Sequence, residues 1–172
     1  EREPGRLRIA RFVEPVIADA DVDPECVAAW EAASVLLASL GHEVEDIAVP
    51  MPRQAVATFE TCWAVLTALS PAPPGAEGLL RPLTRWLSKK GRAFSGPEFG
   101  LALGAMRRHA ADCLVELAAY DGVLTPTLAA PPLPVGALRD DADPQADFEA
   151  QKAFTPWTSV WNVTGMPAVS LP

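Results

Sequence analysis

The amino-acid sequence predicts an α/β fold, and three observations carry that prediction. A strand-like run, a capped amphipathic helix and a second strand-like run follow one another between Leu7 and Val49. A second capped helix, opening at Ser95, leads into the short apolar run Val123-Leu124, which lacks polar alternation as strands buried on both faces do. The composition is globular, with 49% hydrophobic and 21% charged residues over 172 positions. That length predicts a single domain over 1–172, able to bury a core without a disulfide framework.

The elements follow in chain order. Leu7 to Val13 reads as a strand ended by Pro15. Asp23 is a helix cap, Pro24 suits the first helical position and Glu25 favours the positive end of the helix dipole. Val27, Trp30, Ala33, Leu37 and Leu40 form one apolar face, and Gly41 is placed for the left-handed turn that ends a helix. Glu43 to Val49 closes the unit as a strand, so the helix is expected to cross one face of a sheet.

Arg53 to Leu69 is expected to be helical with Phe59, Trp63 and Leu66 on one side. Pro71-Ala72-Pro73-Pro74-Gly75 breaks it, and a shorter helical piece spans Gly78 to Lys89. Ser95 and Glu98 form a capping box. From there Phe99, Leu103, Met106, Ala110, Cys113, Leu117 and Tyr120 make a core-facing stripe in which Cys113 is a buried thiol rather than a nucleophile. A proline-rich loop runs from Thr127 through Gly136, and the acidic stretch from Asp140 to Glu149 reads as a solvated loop or helix entry. Trp157 and Trp161 share a helical face, Gly165 turns the chain, and a last strand is expected from Ala168.

Charge and composition exclude several classes of function. Lys plus Arg number 14 against 22 Asp plus Glu, a net charge of -8. Direct nucleic-acid binding, which draws on cations to neutralise phosphates, is not expected, nor is binding to an anionic membrane. No apolar run approaches the ~20 residues of a membrane span, and no signal peptide is read at the N-terminus. Cys26, Cys62 and Cys113 lie far apart and fit a reducing, cytoplasmic compartment. His42 and His109 share no ligand spacing with a cysteine, and the acidic stretch lacks the glycine and terminal glutamate of a calcium loop; no metal or cofactor is expected. A phosphate loop and a Gly-x-Ser-x-Gly elbow are both missing. The Asn162-Val163-Thr164 glycosylation match is read as chance, and His109 as an ordinary helix residue.

A resemblance carries the reading further. Phe154-Thr155, followed by Asn162-Val163-Thr164-Gly165-Met166-Pro167-Ala168-Val169-Ser170-Leu171-Pro172, resembles the C-terminal half of amidase signature enzymes. Pro4 to Ala10, Leu40-Gly41-His42-Glu43-Val44-Glu45 and Tyr120-Asp121-Gly122-Val123-Leu124-Thr125-Pro126-Thr127 resemble other stretches of that family in the same order. The resemblance implies part of a mixed-sheet, helix-covered amidase signature fold. It also implies hydrolysis of carboxylic amides by a serine that a lysine activates through a second serine, with backbone amides holding the oxyanion.

The Gly/Ser-rich region that carries those groups has no match here. Lys89, Lys90 and Lys152 lack its context, so no catalytic residue is assigned to this chain. The chain is expected to supply sheet and a wall of the acyl pocket, with Thr127, Trp157, Trp161 and Asn162 as candidates, and to be inactive alone. The partner of the complete enzyme is a small-molecule amide. The chain is expected to need the signature-region half or self-association, because uncovered faces and free strand edges favour association. The alternative is a non-catalytic piece acting by assembly, including an amidotransferase-type complex.

Overall fold

Phe12, Val16 and Ile17 sit at the centre of the molecule, packed with Cys113, Leu117, Trp157 and Val160. The computed structural model describes residues 4–70 and 75–171; the predicted proline break at 71–74 lies outside them. Three short strands, β1 (Arg8–Arg11), β2 (Glu43–Asp46) and β3 (Gly122–Leu124), form a sheet of order β2-β1-β3. Both pairings are parallel, with Ile9 opposite Val44 on one side and Gly122 on the other.

Parallel neighbours need long crossovers, and the helices supply them. Helix α1 (Pro24–Ser39) joins β1 to β2. Helices α2 (Ala55–Leu69), α3 (Pro82–Arg92) and α4 (Gly96–Leu117) lie between β2 and β3, with a 3-10 turn at Glu77–Leu79. Helices α5 (Pro144–Phe154) and α6 (Thr158–Thr164) follow β3.

The predicted helix signals act as expected. The Asp23 carboxylate accepts from the Glu25 amide at 2.8 Å. Gly41 takes φ +93°, a conformation that costs a residue with a Cβ. Ser95 and Glu98 close their box in both directions, the Ser95 amide donating to Glu98 at 2.7 Å and the Glu98 amide to Ser95 at 3.3 Å.

The residues that carry the family resemblance latch the sheet together. The Leu7 amide donates to His42 Nδ1 at 3.2 Å, and the Glu43 amide to the Leu7 carbonyl at 2.8 Å. Asp121 receives the Arg8 amide at 2.8 Å, and the Tyr120 hydroxyl donates to Glu45 at 3.1 Å. The Trp30 indole N–H reaches the Leu124 carbonyl at 3.3 Å and ties α1 to β3.

Several expectations are corrected. Strand β3 is half-buried rather than covered on both faces. The piece expected over Gly78 to Lys89 is divided: Arg81 precedes a proline and adopts ψ 150°, so α3 starts afresh at Pro82. On α2, Phe59, Trp63 and Leu66 share one side, and of the three Phe59 packs against the core. Trp63 is 45% and Leu66 57% exposed, while Ala55, Cys62 and Ala64 are buried. The small Ala64 and Gly91 permit α2 and α3 to approach so closely that a Cβ on Gly91 would stand 2.0 Å from the Ala64 carbonyl oxygen.

The acidic stretch is solvated only in part. Asp143 caps α5, accepting from the Gln145 and Ala146 amides. Asp147 is fully buried, bonded by Gln151 Nε2 at 2.5 Å and lying 3.6 Å from Arg81. The segment from Ala168 to Leu171 forms no ladder, since no strand among the described residues pairs with it.

Candidate functional site

Helix α6 and the chain beyond β3 present the residues that sequence reasoning selected. Gly165, at φ +72°, donates its amide to the Trp161 carbonyl at 3.0 Å and ends α6. Asn162 therefore stands on the last turn of a short helix and is exposed. Trp161 is half-buried, its ring 6.4 Å from that of Phe12. Trp157 is wholly buried, and its indole N–H donates to the Glu14 carbonyl at 3.0 Å. Thr127 lies exposed past Pro126, its hydroxyl 3.1 Å from that of Ser170.

Two hollows meet at Asn162. One is an open groove of about 450 Å³ between α2, α4 and α6, lined by Phe59, Cys62, Trp63, Leu66, Met106 and Val163. The other, of about 310 Å³, lies between α2, α3, α5 and α6. Trp63, Thr67 and Asn162 border both. Of the four residues selected from sequence, Asn162 alone lines these hollows. Thr127, Trp157 and Trp161 line neither. The sequence places Trp63 only in a helix stripe, and nothing in its spacing distinguishes a groove wall from a core face.

An aromatic chain stiffens the second hollow. Trp63 meets Phe59 at 5.1 Å and Phe148 at 6.0 Å between ring centroids, and Phe148 meets Trp86 at 6.0 Å. Beside it the Lys152 ammonium, 6% exposed, contacts Glu60 at 2.5 Å and Glu149 at 2.9 Å. Burial alone would push Lys152 down, but Glu149 and Glu60 outweigh it and hold the ammonium above the ordinary lysine value. Burial raises the Cys62 thiol, which disfavours its nucleophilic form.

Most serine hydroxyls near these elements are engaged, while Ser159 Oγ on α6 has no hydrogen-bond partner among the described residues. Ser34 donates to the Trp30 carbonyl at 2.9 Å, Ser95 to Glu98 at 2.6 Å, and Ser170 meets Thr127. Among the described residues no serine is hydrogen-bonded to a lysine, the pairing that would activate a nucleophile. No group of three or more His, Cys, Asp or Glu among them is arranged to hold a metal ion.

The comparisons with known proteins bear on the family and the fold. The family model described as Amidase matches residues 1–172. The chain is 31% identical over 191 residues to a 6-aminohexanoate-cyclic-dimer hydrolase of Paenarthrobacter ureafaciens, an alignment covering 98% of this chain and 38% of that one. A solved structure of 6-aminohexanoate cyclic dimer hydrolase superposes with a TM-score of 0.75 at 23% identity, over 95% of this chain and 37% of that one. A bacterial aryl acylamidase of the amidase signature enzymes family superposes at 0.66 with 16% identity, over 93% and 35%. These superpositions show the shared fold. The chain spans about 38% of the length of the curated relative it matches.

Proposed function

The chain belongs to the amidase family, and from that premise we propose that it is part of an enzyme hydrolysing carboxylic amides through a serine acyl-enzyme. It contributes the parallel sheet and a wall of the acyl pocket, while the nucleophile and its lysine come from sequence outside these 172 residues. One observation carries the assignment of the wall. Asn162, in the motif most like the family's, stands where the two hollows beside α6 meet. Trp161 precedes it on the same helix, and the buried Trp157 fixes that helix against the loop after β1. Thr127 follows the end of a parallel strand, where α/β sheets place their ligands.

This reading has the whole of 1–172 acting as one domain, with a small amide as its partner. The three unpaired cysteines suit the cytoplasm. Among the described residues no helix is long and apolar enough to cross a membrane. Exposed apolar side chains on α1 and at its C-terminal cap, Val35, Leu36 and Leu40, suit coverage by the signature-region half or by a second copy.

The test is a panel of carboxylic amides with acyl groups of graded size. The complete protein carrying this chain should hydrolyse members of the panel, and the 172 residues alone should hydrolyse none. In the complete protein, Trp161→Ala and Asn162→Ala should change the order of preference among acyl groups. Rates reduced by one common factor across the panel would remove these residues from the pocket wall. Turnover by the 172 residues alone would overturn the division of labour.

A further inference from the structure

One face of the molecule departs from its acidic whole. From Gly78 to Pro97 the chain carries Arg81, Arg85, Lys89, Lys90 and Arg92 and no Asp or Glu, in a protein of net charge -8. Helix α3 buries Leu87, Ser88 and Gly91, and Lys90 reaches Glu60 at 3.5 Å. Arg85, Lys89 and Arg92, at steps of four and three, form an exposed stripe on its outer side. Arg81, one turn earlier, is committed to Asp141 and Asp147. Arg85 donates to the Gly78 and Leu80 carbonyls at 3.3 and 2.7 Å, which leaves its charge uncompensated. Among the described residues no carboxylate lies within ion-pair distance of Arg85, Lys89 or Arg92.

The helix dipole explains part of this arrangement. It favours Lys89 and Arg92 in the last turn but disfavours Arg85 in the first, where α3 has no acidic residue. Beside the stripe an apolar side chain stands in water. Leu79 is 88% exposed and closes the 3-10 turn Glu77–Leu79, and the Arg85 guanidinium holds the carbonyls on either side of it.

The charge of the whole chain opposes an anionic surface, but screening limits that opposition. In physiological salt a charge is felt over roughly 8 Å. A surface that approaches α3 therefore meets its cations and little of the acidic remainder. Each cation close to an anionic bilayer is worth about fivefold in partitioning, and a leucine that reaches the headgroup–acyl boundary adds to it. Nucleic-acid phosphates would use the cations but not Leu79. The stripe also exposes no aromatic ring for base stacking, since Trp86 is half-buried with the Lys90 ammonium 5.2 Å from its ring centroid.

We propose that α3 is a peripheral membrane-docking face, with anionic phospholipid headgroups along Arg85, Lys89 and Arg92 and Leu79 at the acyl boundary. The proposal is independent of the reading of the protein as an amide hydrolase.

The experiment floats the complete protein with vesicles of phosphatidylcholine, alone or with about one-third phosphatidylglycerol. Partitioning to the anionic vesicles should be about tenfold or more above that to the neutral ones. Sodium chloride raised from about 0.05 M to about 0.5 M should remove the difference. Lys89→Glu with Arg92→Glu should lower partitioning about tenfold or more, and Leu79→Ser about threefold. Arg6→Glu with Arg53→Glu makes the same charge change on exposed arginines outside α3 and should leave partitioning within about twofold. Should the Lys89 and Arg92 glutamate pair fail to unfold cooperatively, Lys89→Gln with Arg92→Gln replaces it, with a loss of about fivefold or more expected. No binding to anionic vesicles, equal binding to both kinds, or an equal loss in the Arg6 and Arg53 variant would overturn the proposal. Capture of an oligonucleotide without vesicle binding would overturn it too and give the stripe to nucleic acid. Amide hydrolysis measured without vesicles tests the enzymatic reading separately.

Discussion

The hydroxyls of Thr127 and Ser170 lie 3.1 Å apart, although 43 residues separate them in sequence. Each belongs to a stretch that resembles the amidase family, one at the end of β3 and one in the C-terminal tail. Their contact holds the tail against the chain that leaves the sheet. Thr127→Val and Ser170→Ala should each cost little, because both side chains are exposed. Their coupling in a double-mutant cycle should be about 0.5–1 kcal/mol, the net worth of an ordinary hydrogen bond. Thermal or urea unfolding of the four variants measures it, and strict additivity would mean that the contact does not form in solution.

Gly91 is required by the approach of two helices, not by its own backbone. A Cβ there would stand 2.0 Å from the Ala64 carbonyl oxygen and 2.9 Å from the Val65 amide nitrogen, both main-chain atoms. Gly91→Ala should destabilise the protein by about 3 kcal/mol or more, the upper range for forcing a methyl into a packed contact. Gly104 on α4 is the control, since the nearest atom to its added Cβ is Arg108 Nη1, a flexible side-chain end at 3.6 Å. Gly104→Ala should be neutral or stabilising by up to about 1 kcal/mol, the helix-propensity difference. Equal losses at the two sites would refute the close approach of α2 and α3.

Lys152 gives the protein an alkaline sensitivity of predictable sign. Burial opposes its charge, but Glu149 and Glu60 prevail and raise its folded value above the ordinary one. The stabilisation is therefore complete below the unfolded lysine value, about 10.4, and disappears as pH climbs through the higher folded value. Wild-type melting temperatures should fall more steeply above pH 10 than those of Lys152→Met. At neutral pH the variant should cost about 1–3 kcal/mol, below the usual loss for a broken buried pair, because Lys90 remains 3.5 Å from Glu60. Parallel pH profiles would show that the cluster is not linked to folding.

The three thiols should react in a fixed order. Cys113 is 0% exposed, and burial together with Glu116 pushes its thiol up to about 11. Cys62 is buried and raised by the same effect, while Cys26 is only partly covered. Titration of the native protein with a thiol-specific disulfide reagent at pH 8 should modify Cys26 first and leave Cys113 until unfolding. Early modification of Cys113 would contradict the packing of α4.

The Ser95 box is the simplest local test. Ser95→Ala removes the acceptor for the Glu98 amide and should cost about 1 kcal/mol, the usual worth of a cap. Glu98→Ala removes the reciprocal bond from the Ser95 amide. Circular dichroism melts of the two variants should show similar losses, and an unchanged midpoint in Ser95→Ala would mean that the helix start is held by packing alone.

Local chemistry made the element starts and stops legible. Asp23, Gly41, Ser95 and Gly165 act on backbone groups within a few residues of themselves, so their roles can be read without knowing the fold. The parallel pairing of β1 with β2 followed from the helix between them. The motifs from Leu40 to Glu45 and from Tyr120 to Thr127 pointed to the family, and the structure gives His42, Tyr120 and Asp121 bonds that join its strands.

What only the tertiary structure decided is which side of each element meets another. Helix α2 carries large and small apolar side chains, and periodicity alone does not say which of them a neighbouring helix covers. The molecule buries Ala55, Cys62 and Ala64 while Trp63 and Leu66 stay exposed, and at Ala64 and Gly91 the backbones of α2 and α3 come together. Trp63 is thereby left to border a groove, Asp147 is drawn under Arg81, and Lys152 finds Glu60 from 92 residues away. Caps and turns are contracts between neighbours in sequence, which the chain specifies by itself. A groove or a buried ion pair depends on how several helices share one volume, and that is settled only when all of them pack at once.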